Sequence, residues 1–401
     1  MKITSLETIQ LREFPNLVWL HIHTDEGLIG LGETFFGASA VAAYLHETAA
    51  PYLIGRDPLR IEEHSHALRG VYVGYSSSGA EMRGLSAVDI ALWDLLGQSS
   101  GLPIHQLLGG LCRDSIRTYN TCAGYKYVRE QLDTVTGSWH VPASAAAGPY
   151  EDFDAFLERA DELAESLLSE GITAMKIWPF DAYAEASKGT YISGPDLNLA
   201  LEPFRKIRKA VGNRMDVMVE LHSLWNLPTA KRICAALEEF DPFWFEDPIR
   251  MNNADALADL AASTRVPITA SESLATRFPY REYFARNAIG ICMPDLSWIG
   301  GLSEAKKVAT MAEAHHLPVA PHDCTGPVVF IASVHLALNL PNALMQESVR
   351  AFYSSWYREI ATEMPVIVDG FIQPMSGAGL GTRLLPDLKN RADAIVRRSG
   401  A

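Results

Sequence analysis

The sequence predicts an α/β protein: a modified (β/α)8-type barrel of the TIM class, preceded by an α+β capping domain. Three observations carry that expectation. From about residue 116, short apolar strands alternate with amphipathic helices, the pattern of a parallel sheet. The alternation runs through eight strand-like segments, over roughly 240 residues, the size of a closed barrel. An open doubly wound sheet would normally carry a glycine-rich phosphate turn after its first strand, and neither GxGxxG nor a P-loop pattern occurs.

The elements follow in order. "ITSLETIQLREF" and "NLVWLHIHTDEGLIGLGE" read as a three-strand meander with a turn at Asp25-Glu26-Gly27. Helices follow, including "LSAVDIALWDLLGQSSG". This front part, 1–115, is expected to form the cap, completed by the tail 360–401. The barrel is expected over 116–359. Its strand segments are "IRTYNTC", "ITAMKIW", "MDVMVEL", "PFWFE", "VPITAS", "AIGICM", "LPVA" and "ALMQ". One helix between them is explicit: Phe153, Phe156, Leu157, Ala160, Leu163, Ala164, Leu167 and Leu168 lie at helical spacing and stop at Gly171. Another is expected near 198–211. The stretch 126–150 has little periodicity and reads as an exposed loop.

Composition narrows the function classes. Of 401 residues, 48% are hydrophobic and 20% charged, with no low-complexity tract. No run reaches the roughly 18 apolar residues of a membrane span. The first residues alternate like a strand and lack the apolar core of a signal peptide, so a cytoplasmic protein is expected. Five cysteines, at 112, 122, 234, 292 and 324, show no CxxC spacing and read as reduced thiols. A net charge of −14 argues against nucleic acid or an anionic membrane as partner. A small acidic substrate stays open, because a bound metal reverses the local field.

Barrel chemistry sits at the C-terminal strand ends. There "DVMVELHSLWN" offers Glu220 and His222, "FWFEDP" offers Glu246, and "PITASES" offers Glu272. The three glutamates are spaced by 26 residues each time, one βα unit. A single acid at a strand end is ordinarily a helix cap. Three in step with the repeat converge on one rim and repel, which a hard divalent cation such as Mg²⁺ would relieve. Asp247 points the other way and reads as a supporting or capping group. The rim continues with Lys176, then Asp295, His322 and Glu347 on later strands. A His–Asp pair on neighbouring strands beside a metal is a candidate general base.

Together these residues resemble the enolase superfamily, in its mandelate racemase subgroup (mandelate racemase/muconate lactonizing enzyme-like), and within it the acid-sugar dehydratases. The resemblance covers nearly the whole chain. It includes the capping segment "AVDIALWDLLGQSSGLPIHQLLGG", the Glu/Glu/Glu ladder, Asp295 with His322, Glu347 and the closing "GAGLG". It implies Mg²⁺ on Glu220, Glu246 and Glu272, with His322 as the base removing the proton α to a carboxylate. Asp295 would orient His322, the metal would stabilise the enediolate, and Glu347 would hydrogen-bond the substrate carboxylate.

Two departures bear on the reaction. Many members carry Lys-x-Lys on the second barrel strand, but here Lys176-Ile177-Trp178 puts Trp178 in the second lysine's place, and Trp cannot accept a proton. Lys176 would contact the substrate carboxylate. His222, two residues past Glu220, matches the general acid of several sugar-acid dehydratases. The expected reaction is therefore loss of water from an aldonic or aldaric acid to give a 2-keto-3-deoxy acid. The alternative is an epimerase or cycloisomerase using the same enediolate. A binding protein with a decayed site would lack a rim residue, and none is missing. Metal-assisted hydrolysis would more usually show HxH on the first strand, and "TYNTC" has none. Tyr72, Tyr75 and Arg83, in the cap loop "RGVYVGYSSSGAEMRG", are candidate contacts to a polyol. A homo-oligomer is expected.

Overall fold

The computed structural model describes residues 1–69, 78–129, 148 and 150–400. Strands β1 (Ile3–Leu11), β2 (Leu17–Thr24) and β3 (Ile29–Phe35) form an antiparallel meander. A fourth strand joins it from the far end of the chain. The last strand, Ala394–Gly400, pairs antiparallel with β1, from Ser5 opposite Gly400 to Leu11 opposite Ala394. Local patterning shows the meander but not this partner.

One face of the sheet is covered by the helix Ala80–Ser100. The contact is so close that a Cβ on Gly32 would sit 2.0 Å from the Ala87 carbonyl oxygen, and one on Gly30 would sit 2.3 Å from that of Ala91. Only glycine allows that approach, which accounts for "GLG" in β3. Asp94 on the same helix accepts from the Leu31 and Leu380 N–H groups, both at 2.9 Å. The "GAGLG" segment thus packs on this helix, with Gly379 against Gly97 and Asp94.

The barrel strands are β4 (Ile116–Thr121), β5 (Ala174–Ile177), β6 (Asp216–Glu220), β7 (Phe245–Glu246), β8 (Ile268–Ala270), β9 (Ile291–Cys292) and β10 (Gln346–Ser348). Each of β4 to β8 pairs in parallel with the next. The seventh ring position, expected as the strand "LPVA", makes only isolated parallel bridges: Cys292 to Val319, Val319 to Ala343 and, nearer the rim, Asp295 to His322. Pro318, within it, and Pro321, just after it, have no N–H to donate, which limits it to bridges. The ring closes where β10 pairs in parallel with β4. A short hairpin, β11 (Ile367–Val368) with β12 (Phe371–Ile372), lies antiparallel on β4, and β13 is the Ala394–Gly400 strand.

The predicted helix after residue 152 is present but breaks at Arg159, giving Asp152–Glu158 and Ala160–Ser169. The helix expected near 198–211 is Glu202–Val211, preceded by Gly194–Ala200. Most of the 126–150 stretch lies outside the described residues. Among the described residues no helix is long and apolar enough to cross a membrane, and all five cysteines are unpaired.

One layer inside the barrel explains where the functional groups sit. Tyr119, Ala174, Met218, Trp244, Met293, Ala320 and Met345 belong to one buried apolar cluster. Successive side chains on a strand alternate faces, so the residue two further along each strand also points inward, one step nearer the rim. Those residues are Thr121, Lys176, Glu220, Glu246, Asp295, His322 and Glu347. The apolar layer is the floor on which the polar ring stands.

Candidate active site

Lys176 lies at the centre of the rim, almost fully buried. Its Nζ is 2.7 Å from Glu246 Oε1, 3.0 Å from Glu347 Oε1 and 3.6 Å from Glu220 Oε2. Glu246 Oε2 accepts from the Trp244 indole at 2.9 Å. Glu220 Oε1 accepts from the His222 backbone N–H at 2.6 Å. Glu347 accepts from the Thr121 hydroxyl and from the Asp323 N–H.

One ammonium cannot neutralise three buried carboxylates. Burial and the Glu220 charge push Glu246 well above the ordinary carboxylate range, although Lys176 touches it, while burial raises Glu220 to about 8. Burial acts the same way on Glu347, but the Lys176 and His322 charges outweigh it and hold that acid at about 2. Glu272 is also held low: burial would raise it, but His322 and Lys176 prevail. The rim is therefore short of positive charge beside Glu220 and Glu246.

His322 is the second focus. Its Nδ1–H donates to Asp295 Oδ2 at 2.7 Å. Asp295 Oδ1 accepts from the Ser297 N–H and hydroxyl, so the dyad is fixed. The far nitrogen, Nε2, is 3.6 Å from Glu272 Oε2 and 3.9 Å from Glu347 Oε2. Burial favours the neutral ring, but Glu347, Glu272 and Asp295 together raise its pKa well above the usual histidine value. The Trp298 ring stacks on His322 with centroids 5.7 Å apart, and Arg83 lies 4.7 Å over the Trp298 ring. Both Arg83 and the Trp298 indole donate to the Phe35 carbonyl, so the end of β3 is tied to the ring that stacks on His322.

On the other side, His222 leaves the strand pattern. β6 ends at Glu220, and His222 and Ser223 have φ of 49° and 58°, left-handed values uncommon for side chains other than glycine. Alternation alone predicted an inward His222; a turn delivers it instead. Its Nδ1 meets Asp181 Oδ2 at 2.7 Å. Trp178 stands edge-on to it, with ring centroids 5.7 Å apart, inside an aromatic cluster with Tyr127, Phe153 and Phe156. Asp247, at φ 40°, accepts from the Ser271 N–H and the Ser273 hydroxyl, bracing the turn that carries Glu272.

Two connected spaces follow. A chamber of about 20 Å³ is lined by Lys176, Trp178, Glu220, His222, Glu272 and His322 among others, room for about one water-sized group. A cavity of about 580 Å³ shares His222, Glu272 and Trp298 with it and extends under the cap to Asn16, Ser39 and Arg83. Tyr72 and Tyr75 lie outside the described residues. Of the other predicted site residues, Glu246, Glu347 and Asp295 stand behind the lining, the first two against Lys176 and the third against His322, and the rest line these two spaces. Asp181, Thr121 and Trp298 were not foreseen. Asp181 and Trp298 each lie three residues past a rim residue, in "WPFD" and "DLSW", which is the only sequence signal for them.

The donor set suits a hard divalent ion. Glu246, Glu272 and His322 have possible ligand atoms within 4.8 Å of one another, and Glu272 Oε2 has no hydrogen-bond partner among the described residues. Glu220 stands beside Lys176 rather than in that tightest group. A second grouping, Glu7 with His21 and His23 in the cap, already holds the Lys389 ammonium on Glu7.

A capped barrel with buried acids, a lysine and two histidines on its C-terminal rim is the frame of an acid–base enzyme. The model described as "Mandelate racemase / muconate lactonizing enzyme, N-terminal domain" matches residues 4–109, and "Enolase C-terminal domain-like" matches 158–388. The chain belongs to the enolase superfamily, in the mandelate racemase subgroup. A subgroup enolase from Agrobacterium tumefaciens is 53% identical, with a TM-score of 0.88, covering 100% of this chain and 99% of that one. An enolase protein from Sargasso Sea environmental sequencing is 47% identical, with a TM-score of 0.89 and the same coverage. D-galactonate dehydratase of Verminephrobacter eiseniae is 32% identical over 96% of this chain and 92% of the relative. That of Pectobacterium atrosepticum is 31% identical over 97% and 93%. Members of this family generally use Mg²⁺.

Proposed function

We propose that this protein is a Mg²⁺-dependent dehydratase of a sugar acid, an aldonate or aldarate, releasing a 2-keto-3-deoxy acid. The observation that carries the reading is the placement of two histidines. His322 follows ring position seven and His222 follows position three, so they face each other across the barrel, and both line the small chamber. The dehydratase names of the curated relatives support it.

Glu220, Glu246 and Glu272 would hold the ion, whose oxygen-ligand preference they meet. When bound, Mg²⁺ supplies the positive charge that the buried rim lacks and that an enediolate requires. One oxygen of the substrate carboxylate enters the chamber beside Lys176, which adds its own charge. Glu347, held ionised, fixes His322 and Lys176 in place. Glu272, once it holds the ion, is taken up as one of the anions that raise the His322 pKa, freeing Nε2 to accept the α proton while Asp295 holds the Nδ1–H. His222 gives a proton to the β-hydroxyl, the C–O bond breaks with its electron pair, and water leaves. The resulting enol becomes the 2-keto acid by tautomerisation. Base and acid on opposite walls favour anti elimination. The polyol chain occupies the larger cavity under the cap, whose size suits a small ligand.

Trp178 in place of a second lysine removes a base from the opposite face, which weighs against an epimerase or cycloisomerase. The test is to incubate purified protein and Mg²⁺ with a sugar-acid library and detect 2-keto acids with semicarbazide. Formation of epimers without keto acid would replace the lyase reading with the isomerase one.

A further inference from the structure

Asp181 follows β5 and opens the short helix Asp181–Ser187. An acid in a first helical turn ordinarily serves that helix, through a capping bond or the dipole. Here the helix start has no side-chain capping bond. The Asp181 carboxylate turns instead toward the barrel, is buried, and takes the His222 Nδ1–H at 2.7 Å. Its other oxygen, Oδ1, has no hydrogen-bond partner among the described residues. Burying a carboxylate with one oxygen unsatisfied is unfavourable, so helix capping does not explain this residue.

The arrangement repeats that of the base. Asp295 follows ring position six and holds the histidine of position seven; Asp181 follows position two and holds the histidine of position three. Both contacts run from an aspartate Oδ2 to a histidine Nδ1 at 2.7 Å. An aromatic ring then fixes each imidazole: Trp298 stacked on His322 and Trp178 edge-on to His222, both at 5.7 Å.

Building on the dehydratase reading, we propose that Asp181 is the positioning residue of the acid: it holds His222 so that Nε2 delivers the proton to the departing hydroxyl. To act as the acid, His222 must bring a proton on Nε2 while Asp181 keeps the one on Nδ1. The Nε2 proton moves to the hydroxyl oxygen, the C–O bond breaks with its electron pair, and the electrons of the enediolate form the new carbon–carbon double bond. His222 is left as the Nδ1–H tautomer, the form Asp181 already holds, and regains its Nε2 proton from solvent. Without Asp181, the ring is free to rotate or to carry its remaining proton on the wrong nitrogen, and such misplacement costs orders of magnitude where an aspartate sets a histidine tautomer.

The test uses the full-length protein with Mg²⁺ and the sugar acid that wild type dehydrates. Asp181→Asn, Asp181→Ala and Asp181→Glu are compared for keto-acid formation and for α-proton exchange in D₂O. The expected result is dehydration lowered about 10²-fold in the Asn and Ala variants with exchange retained, and partial recovery in the Glu variant. Equal loss of both readouts, or unchanged dehydration, overturns the proposal. A second measurement needs no turnover. In ¹⁵N-histidine-labelled protein, His222 should be protonated on Nδ1, and Asp181→Asn should shift that signal while leaving His322 in place. A wild-type signal from Nε2–H alone also overturns it. If no sugar acid yields a keto acid, the dehydratase reading fails, while the labelled spectrum still decides whether Asp181 sets the His222 tautomer.

Discussion

Two groups of buried carboxylates in this molecule have surroundings that differ in kind. At the seam between cap and barrel, Glu33 accepts from the Trp19 indole and from the Val328 and Val329 N–H groups at the start of the helix Pro327–Asn339. Asp89 accepts from the Ser303 N–H, and Asp94 from Leu31, Leu380 and Gln98. Each of these acids stands alone among neutral donors. At the rim, Glu220, Glu246 and Glu347 crowd around one ammonium. The number of buried acids is thus no guide to function. What satisfies them separates these two groups: neutral donors hold Glu33, Asp89 and Asp94, while one shared ammonium stands among Glu220, Glu246 and Glu347.

The sharpest way to break the comparison is to exchange the two roles. Glu246→Gln or His322→Asn should lower turnover by about 10²–10⁴, and EDTA should abolish it until Mg²⁺ is restored. The His322 variant should also lose α-proton exchange in D₂O. Glu33→Gln should keep turnover near that of wild type. If the Glu33 variant were as inactive as the rim variants, the seam would belong to the site.

Stability should respond in the opposite sense. Glu33→Ala strands three buried donors, and a loss of about 3 kcal/mol or more is expected by denaturant titration. A loss near zero would mean that the helix Pro327–Asn339 does not depend on this cap.

Ion binding sharpens the contrast. At a hundred times its dissociation constant, Mg²⁺ should stabilise wild type by about 2.7 kcal/mol, read as a rise in Tm. Glu246→Gln should lose most of that rise and Glu33→Gln none. Equal rises in all three proteins would place the ion elsewhere.

The smallest effect is a pH dependence. Burial pushes Glu33 up to about 8 and Asp89 up to about 7. An acid whose native pKa is raised binds its proton more tightly when folded. Its contribution is present below the unfolded value and is lost as pH rises through the native one. Tm should therefore fall between about pH 5 and pH 8, and Glu33→Gln should flatten the upper part of that fall. An unchanged slope would assign it to other groups.

The sequence alone determined the layout of the barrel. Apolar strands at a regular repeat fix an eight-fold ring, and the period of two places Lys176, Glu220, Glu246, Asp295, His322 and Glu347 directly above a layer of apolar side chains. That much is local, because strand alternation and one βα unit of spacing need no knowledge of distant neighbours. Tertiary structure decided the rest. The strand Ala394–Gly400 finds β1 across almost the whole chain, and no local pattern encodes such a pairing. Lys176 leaves its equally buried acids unequally charged because His322 adds a second positive charge beside Glu347 and not beside Glu220 or Glu246. His222 reaches the chamber through a left-handed turn rather than by strand alternation. Asp181, which reads in sequence as an ordinary helix-start acid, is turned to His222 by the packing of two neighbouring strand ends. Pattern sets which way a side chain points along a regular element; beyond the element's end, only the neighbours that fill the space decide.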